Sequence, residues 1–143
     1  MTSTRTRQRV GSDGVLEQRP FVLVVHRSAA LRSTLLSTLD FDGFDVMTMA
    51  DHEEAVMIVK FVPPHAIVAD RRLLSSAQGE FATQARGARI PIIAFDDAAS
   101  MPPVASCLAL GIQPVRWEDG VARLLEILHE VAVPPAHALS SLV

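Results

Sequence analysis

From Phe21 onward the hydrophobic positions fall into two kinds of run that take turns along the chain. Short, nearly unbroken apolar runs mark strands with both faces covered, and apolar residues three or four apart mark one-sided helices. Strands are thus expected at Phe21–Val25, Asp45–Met49, Ala66–Ala69 and Pro91–Phe95, with a weaker one at Pro114–Trp117. Helices are expected at Ala29–Leu39 (Leu31, Leu35, Leu39), Glu53–Phe61, within Gln78–Arg86, at Pro103–Leu110 and at Gly120–Val131. The stops agree: Gly43 and Gly111 follow helical runs, and Pro63–Pro64 and Pro134–Pro135 cannot continue them. Alternation with short connections predicts an α/β domain, a doubly wound, five-stranded parallel sheet covered on both faces.

The first 19 residues break this pattern, being rich in Ser, Thr, Arg, Gln and Gly. They are expected to form a disordered tail, followed by a domain over residues 20–132 and a second tail over 133–143. The formal net charge of −3 gives no general attraction to nucleic acid. No apolar run approaches the ~18 residues that span a bilayer, and the N-terminal arginines precede no signal-like apolar stretch. One cysteine, Cys107, rules out an internal disulfide and a multi-cysteine zinc site. A cytoplasmic protein that engages neither nucleic acid nor membrane is the expectation.

In doubly wound folds ligands bind where strands end and helices begin. At these ends stand His26 and Arg27, Asp70, Arg72, Asp96, and Trp117 or Glu118. The other histidines lack metal-ligand spacing, Ser75 and Ser76 lack the glycines of a nucleophile elbow, and no glycine-rich phosphate loop is present. Lys60, the only lysine, falls on the second helix, away from those ends. Met47, Met49 and Met57 read as core.

The segments VLVVHRSAALR (22–32), GFDVMTMADHEEAV, PPHAIVAD, IPIIAFDD and CLALG occur in an order and spacing that resembles the receiver domain of two-component response regulators. The resemblance implies a flavodoxin-like sheet of order 2-1-3-4-5. It implies a site built from two metal-binding acids after strand 1, a phospho-acceptor aspartate after strand 3, a Thr or Ser after strand 4 and a lysine after strand 5. Only the acceptor is retained, as Asp70. His26 and Arg27 stand at the acid positions, Asp96 at the hydroxyl position, and Trp117 or Glu118 at the lysine position. Arg72 occupies the place whose backbone oxygen helps bind the metal. Mg²⁺ demands oxygen ligands, so no metal and no cofactor are expected.

Without a metal, Asp70 and an incoming phosphoryl donor approach unscreened and Asp96 adds a third negative charge; like charges ~4 Å apart cost ~4 kcal/mol at an effective dielectric of ~20. Arg27 beside Asp70 and Asp96 substitutes for the missing cations and locks the site by an internal ion pair, unless the site has merely decayed. The resulting expectation is a pseudo-receiver that signals by protein–protein interaction rather than as an enzyme; the alternative is a functional regulator phosphorylated on Asp70. Its partner would be a histidine kinase, an output protein or a dimer mate. The resemblance implies that partners and dimer mates dock on the helix 4–strand 5–helix 5 face, and the surplus of apolar residues there points to the same place, including for a possible homodimer. Val104 and Cys107 are expected there, with Ile127, which falls off the stripe Val121, Leu124, Leu125, Leu128, Val131.

Overall fold

A computed structural model describes residues 19–74, 79–99, 101 and 103–132. Its five strands are β1 (Phe21–Val25), β2 (Asp45–Met49), β3 (Ala66–Ala69), β4 (Ile92–Asp96) and β5 (Ile112–Arg116). The helices are α1 (Ala29–Phe41), α2 (His52–Phe61), α3 (Gly79–Gly87), α4 (Val104–Ala109) and α5 (Val121–Val131). All strand pairs are parallel, in the order β2-β1-β3-β4-β5. This is the flavodoxin-like receiver order expected from the sequence.

The central strands are buried on both sides, which is why they read as continuous apolar runs. Val22, Val24, Val68 and Phe95 face α1 and α5, while Leu23, Ile67, Ala69 and Ala94 face α2, α3 and α4. Helix starts are set by short polar side chains: Ser28 Oγ accepts from the Leu31 amide, and Asp51 from Glu53. Gly43 turns the chain from α1 into β2 with φ +103°, a left-handed conformation open to glycine at little cost.

Several expectations need correction. Arg19, assigned to the tail, belongs to the fold: its guanidinium donates to the carbonyls of Asp40, Gly43 and Phe44 and lies 3.4 Å from the Asp40 carboxylate. It thereby caps the carbonyl end of α1, where a cation is favoured. The rest of the expected N-terminal tail and the C-terminal one, with Ser75 and Ser76, lie outside the described residues. The fifth strand starts at Ile112, two residues earlier than expected, and leaves Trp117 outside it. Pro114 does not end it, because on an edge strand a missing N–H costs no ladder bond. Met57 is exposed rather than core.

The partner-face assignments divide. Val104 is exposed as expected, but Cys107 is fully buried against the sheet, and Ile127 is buried with 5% exposure. The buried positions of α5 are Leu124, Ile127 and Leu128, with Val121, Leu125 and Val131 only partly covered. The stripe is therefore rotated from the expected one. Ile127 packs against a groove formed by Ile93, Leu108 and Ile112, a neighbourhood invisible to the helix's own periodicity.

Candidate functional site

The carboxyl ends of β1, β3 and β4 converge because parallel strands with right-handed crossovers all finish on one edge. They bring together His26 and Arg27 after β1, Asp70 after β3 and Asp96 at the end of β4. A short 3-10 turn, Arg71–Leu74, follows Asp70 and adds Arg72.

Asp70 is fully buried. Its Oδ1 accepts from the Arg72 amide and Nε, both at 3.0 Å, and its Oδ2 accepts from the Arg27 amide at 2.7 Å. Arg72 Nη2 lies 2.8 Å from Oδ2, so guanidinium and carboxylate meet as a two-pronged fork. The same Nη2 donates to the Ala50 carbonyl at 2.8 Å and ties the end of β2 to the site. Burial alone would raise the Asp70 carboxyl; the His52 ring, the Arg72 guanidinium and the two amides outweigh it and hold the carboxyl far below the usual carboxylate range.

Asp96 is 2% exposed and engages Arg27 through a second fork, Nη1 to Oδ2 at 2.8 Å and Nη2 to Oδ1 at 3.0 Å. The amides of Arg71 and Asp97 donate to its two oxygens. Burial opposes its ionisation, but the Arg27 hydrogen bonds and these amides prevail and lower its pKa. Arg27 Nη1 also lies 3.8 Å from Asp70 Oδ2. Two guanidiniums thus face two carboxylates.

His26, which stands after β1, is a buried structural residue. Its ring is buried, with Nε2 2.9 Å from the Phe95 carbonyl and Nδ1 accepting from the Ser28 amide at 3.1 Å. One nitrogen must donate and the other accept, which defines the neutral Nε2–H tautomer. Burial lowers its pKa and reinforces neutrality. His26 is a strut between β1 and β4. Arg32 Nη1 braces the same corner by donating to the His26 carbonyl at 2.6 Å.

On the edge strand, the register pairs Arg116 with Asp96. Arg116 was missed because strand 5 was read as starting late; its guanidinium turns away to Asp119, at 3.1 Å. Trp117 and Glu118 lie beyond the strand in a short 3-10 turn. Trp117 stacks on Phe95 with centroids 6.3 Å apart, and Glu118 accepts from the Ala98 amide. His52, the first residue of α2, was also missed: its fully buried ring has Nε2 3.5 Å from Asp70 Oδ1. A histidine just after the Asp51 cap reads from sequence as an ordinary first-turn residue.

The donor set does not fit Mg²⁺. Both nitrogens of His26 are committed to backbone groups, Arg27 is a cation, and Asp70 already carries the Arg72 fork. Among the described residues no group of three or more His, Cys, Asp or Glu is placed to hold a metal.

No protein-family model and no curated protein matches this sequence. Solved structures do. The chemotaxis protein CheY4 of Vibrio cholerae is 22% identical with a TM-score of 0.66, covering 80% of this chain and 99% of that one. The receiver domain of the sensor histidine kinase PA1611 from Pseudomonas aeruginosa is 27% identical with a TM-score of 0.66, covering 80% and 98%; that structure has a magnesium ion in its active-site cleft. The signal receiver domain of a LuxO repressor protein from Vibrio parahaemolyticus is 16% identical with a TM-score of 0.69, covering 87% and 97%. These neighbours are receiver domains, and the likeness lies in the fold.

Proposed function

We propose that this receiver-fold chain is a signalling module of a two-component or phosphorelay pathway that works by docking a protein partner and without Mg²⁺-dependent phosphorylation of Asp70. The observation that carries the reading is the Arg72 fork on Asp70. An acceptor carboxylate needs a free lone pair and a metal to shield the incoming phosphoryl group, because phosphoryl transfer is mostly positioning and charge neutralisation. Here both oxygens accept hydrogen bonds, and the cations are built in. Arg27 and Arg72 against Asp70 and Asp96 give a charge-balanced pocket that needs no ion. The module is not an enzyme in this reading, and it acts in the cytoplasm. No helix among the described residues is long and apolar enough to cross a membrane.

Its partner is a histidine kinase, an output protein or a second copy. The α4–β5–α5 face is the proposed contact surface, now through Val104 and Leu108, exposed by 56% and 58%. Beside Leu108 lies a groove of about 390 Å³ that includes Gln113 and Arg123. Ile127 lines this groove but is buried, and Cys107 is buried in the core, so neither belongs to the proposed contact surface.

A second reading, a phospho-acceptor on Asp70, is favoured by one feature: Asp70 retains the acceptor's place at the end of β3. Incubation with acetyl phosphate and Mg²⁺ followed by intact-mass measurement separates the two. The expected result is no added phosphate. A phosphate adduct that disappears in Asp70→Asn overturns the proposal in favour of the second reading.

A further inference from the structure

The two forks leave one buried side chain of the site without a formed hydrogen bond. His52 is buried at the start of α2, and neither ring nitrogen makes a hydrogen bond. Its Nε2 stands 3.5 Å from Asp70 Oδ1, and its ring meets Phe81 of α3 edge-on with centroids 5.1 Å apart. A buried polar ring without partners is an unfavourable arrangement that fixed structures seldom keep without a reason. The gap to Asp70 is slightly too long for a hydrogen bond and short enough to close by a small rotation.

We propose that His52 is a proton-operated latch on Asp70, which sets the grip of Arg72 on that carboxylate. With the ring neutral, Arg72 holds Asp70 by its fork, and the charges of Arg27, Arg72, Asp70 and Asp96 balance. A proton on His52 adds a third cation to two carboxylates. The charged ring then stands 3.5 Å from Asp70 Oδ1, the oxygen that also accepts from Arg72 Nε. Of the competing cations Arg72 is the one able to leave, because its side chain is 33% exposed while that of His52 is fully enclosed. Its departure frees the Ala50 carbonyl and unties the Arg71–Leu74 turn from the end of β2.

Among the described residues, the charged and titratable groups around the ring are few. Asp70 faces it from the end of β3 and Arg72 from the turn. Arg27 stands across Asp70. Glu53 and Lys60 on α2 and Glu80 on α3 share with it an adjoining groove of about 320 Å³, and Asp51 caps its helix. Asp70 and Arg72 are the charged groups nearest the ring, so a charge on it meets Arg72 across the shared carboxylate.

The inference rests on reading Asp70 as clamped rather than phosphorylated, and its test contains no phosphodonor. In a pH titration of the full chain followed by NMR, the His52 ring signals and the Arg72 Nε–H signal are read together. The expected result is that Arg72 Nε–H loses its protection with the same midpoint as the His52 shift. In His52→Gln the Arg72 signal persists through that range. Titration of His52 with Arg72 unaffected overturns the latch, as does a ring that stays neutral until the protein unfolds or an Arg72 signal lost equally in His52→Gln. None of these outcomes bears on whether acetyl phosphate modifies Asp70.

Discussion

Single side chains settle the character of the site, and Arg72 does so most directly. Its removal leaves Asp70 buried with two amides and a more distant Arg27. Breaking a fully buried pair from one side costs ~3–5 kcal/mol, whereas an exposed pair is worth ~0–1. Arg72 is a third exposed and Asp70 is not exposed at all, so Arg72→Ala is expected to fall between these limits in urea unfolding at neutral pH. The sign with pH follows from the depressed Asp70 carboxyl. The contribution is fully present above the unfolded carboxylate's ordinary pKa and is lost as pH falls toward the lower folded value. Titration of the Asp70 carboxyl itself should therefore narrow the gap between wild type and variant only in strong acid, and narrowing at milder pH is the mark of the His52 latch. His26 behaves likewise for a different reason. Its pKa is lowered by burial, so its stabilising effect is complete above the ordinary histidine value of 6.5 and declines as pH drops through the folded one. Wild type should lose stability between about pH 8 and about pH 5, and His26→Asn should lose less over the same range, which urea midpoints at the two pH values will measure.

At the level of elements, α4 and α5 show where a helix's own pattern is insufficient. A one-sided helix packed on a flat surface buries a narrow stripe, and Val121, Leu124, Leu125, Leu128 and Val131 form one in sequence. Helix α5 instead sits in an angle, with the sheet on one side and the α4 end of the groove on the other, so Ile127 is enclosed as well. Ile127→Ala is expected to cost about 2–5 kcal/mol, as a buried aliphatic truncation does. Leu108→Glu, on the exposed side of α4, should change stability by no more than ~0.5 kcal/mol. If the α4–β5–α5 face is the contact surface, the same Leu108→Glu weakens self-association in sedimentation or capture of a histidine-kinase partner. Loss of neither removes that face from the proposal.

For the molecule as a whole, the consequence of the two forks is that the cleft end of the sheet carries its cations within the chain. A pocket closed by internal charges should be indifferent to Mg²⁺. Trp117 stacks on Phe95, the residue before Asp96, and so reports on that end of the sheet. Its fluorescence is expected to stay unchanged on addition of Mg²⁺ at concentrations up to about 1 mM, the range of weak ion sites. A saturable change that Asp70→Asn abolishes would show a metal site that the donor set does not predict.

Strand and helix order, the two-sided burial of β1, β3 and β4, and the sheet order implied by the resemblance were all legible in the sequence, because they follow from local periodicity and from chain rules that act between neighbours. The presence of His26, Arg27, Asp70 and Asp96 at strand ends was equally legible, since it concerns residue identity where an apolar run stops. The roles of those residues were decided by the tertiary structure. Neutral His26 owes its state to a carbonyl 69 positions away on β4. Arg27 could have paired with either carboxylate, and only the spacing of β1, β3 and β4 gave its fork to Asp96 and left Asp70 to Arg72. Burial of Ile127 and Cys107, the register that sets Arg116 opposite Asp96, and the meeting of His52 with Asp70 are likewise contacts between distant segments. Periodicity fixes which side of an element is apolar, but partners, charges and the width of the buried face depend on what the fold places opposite.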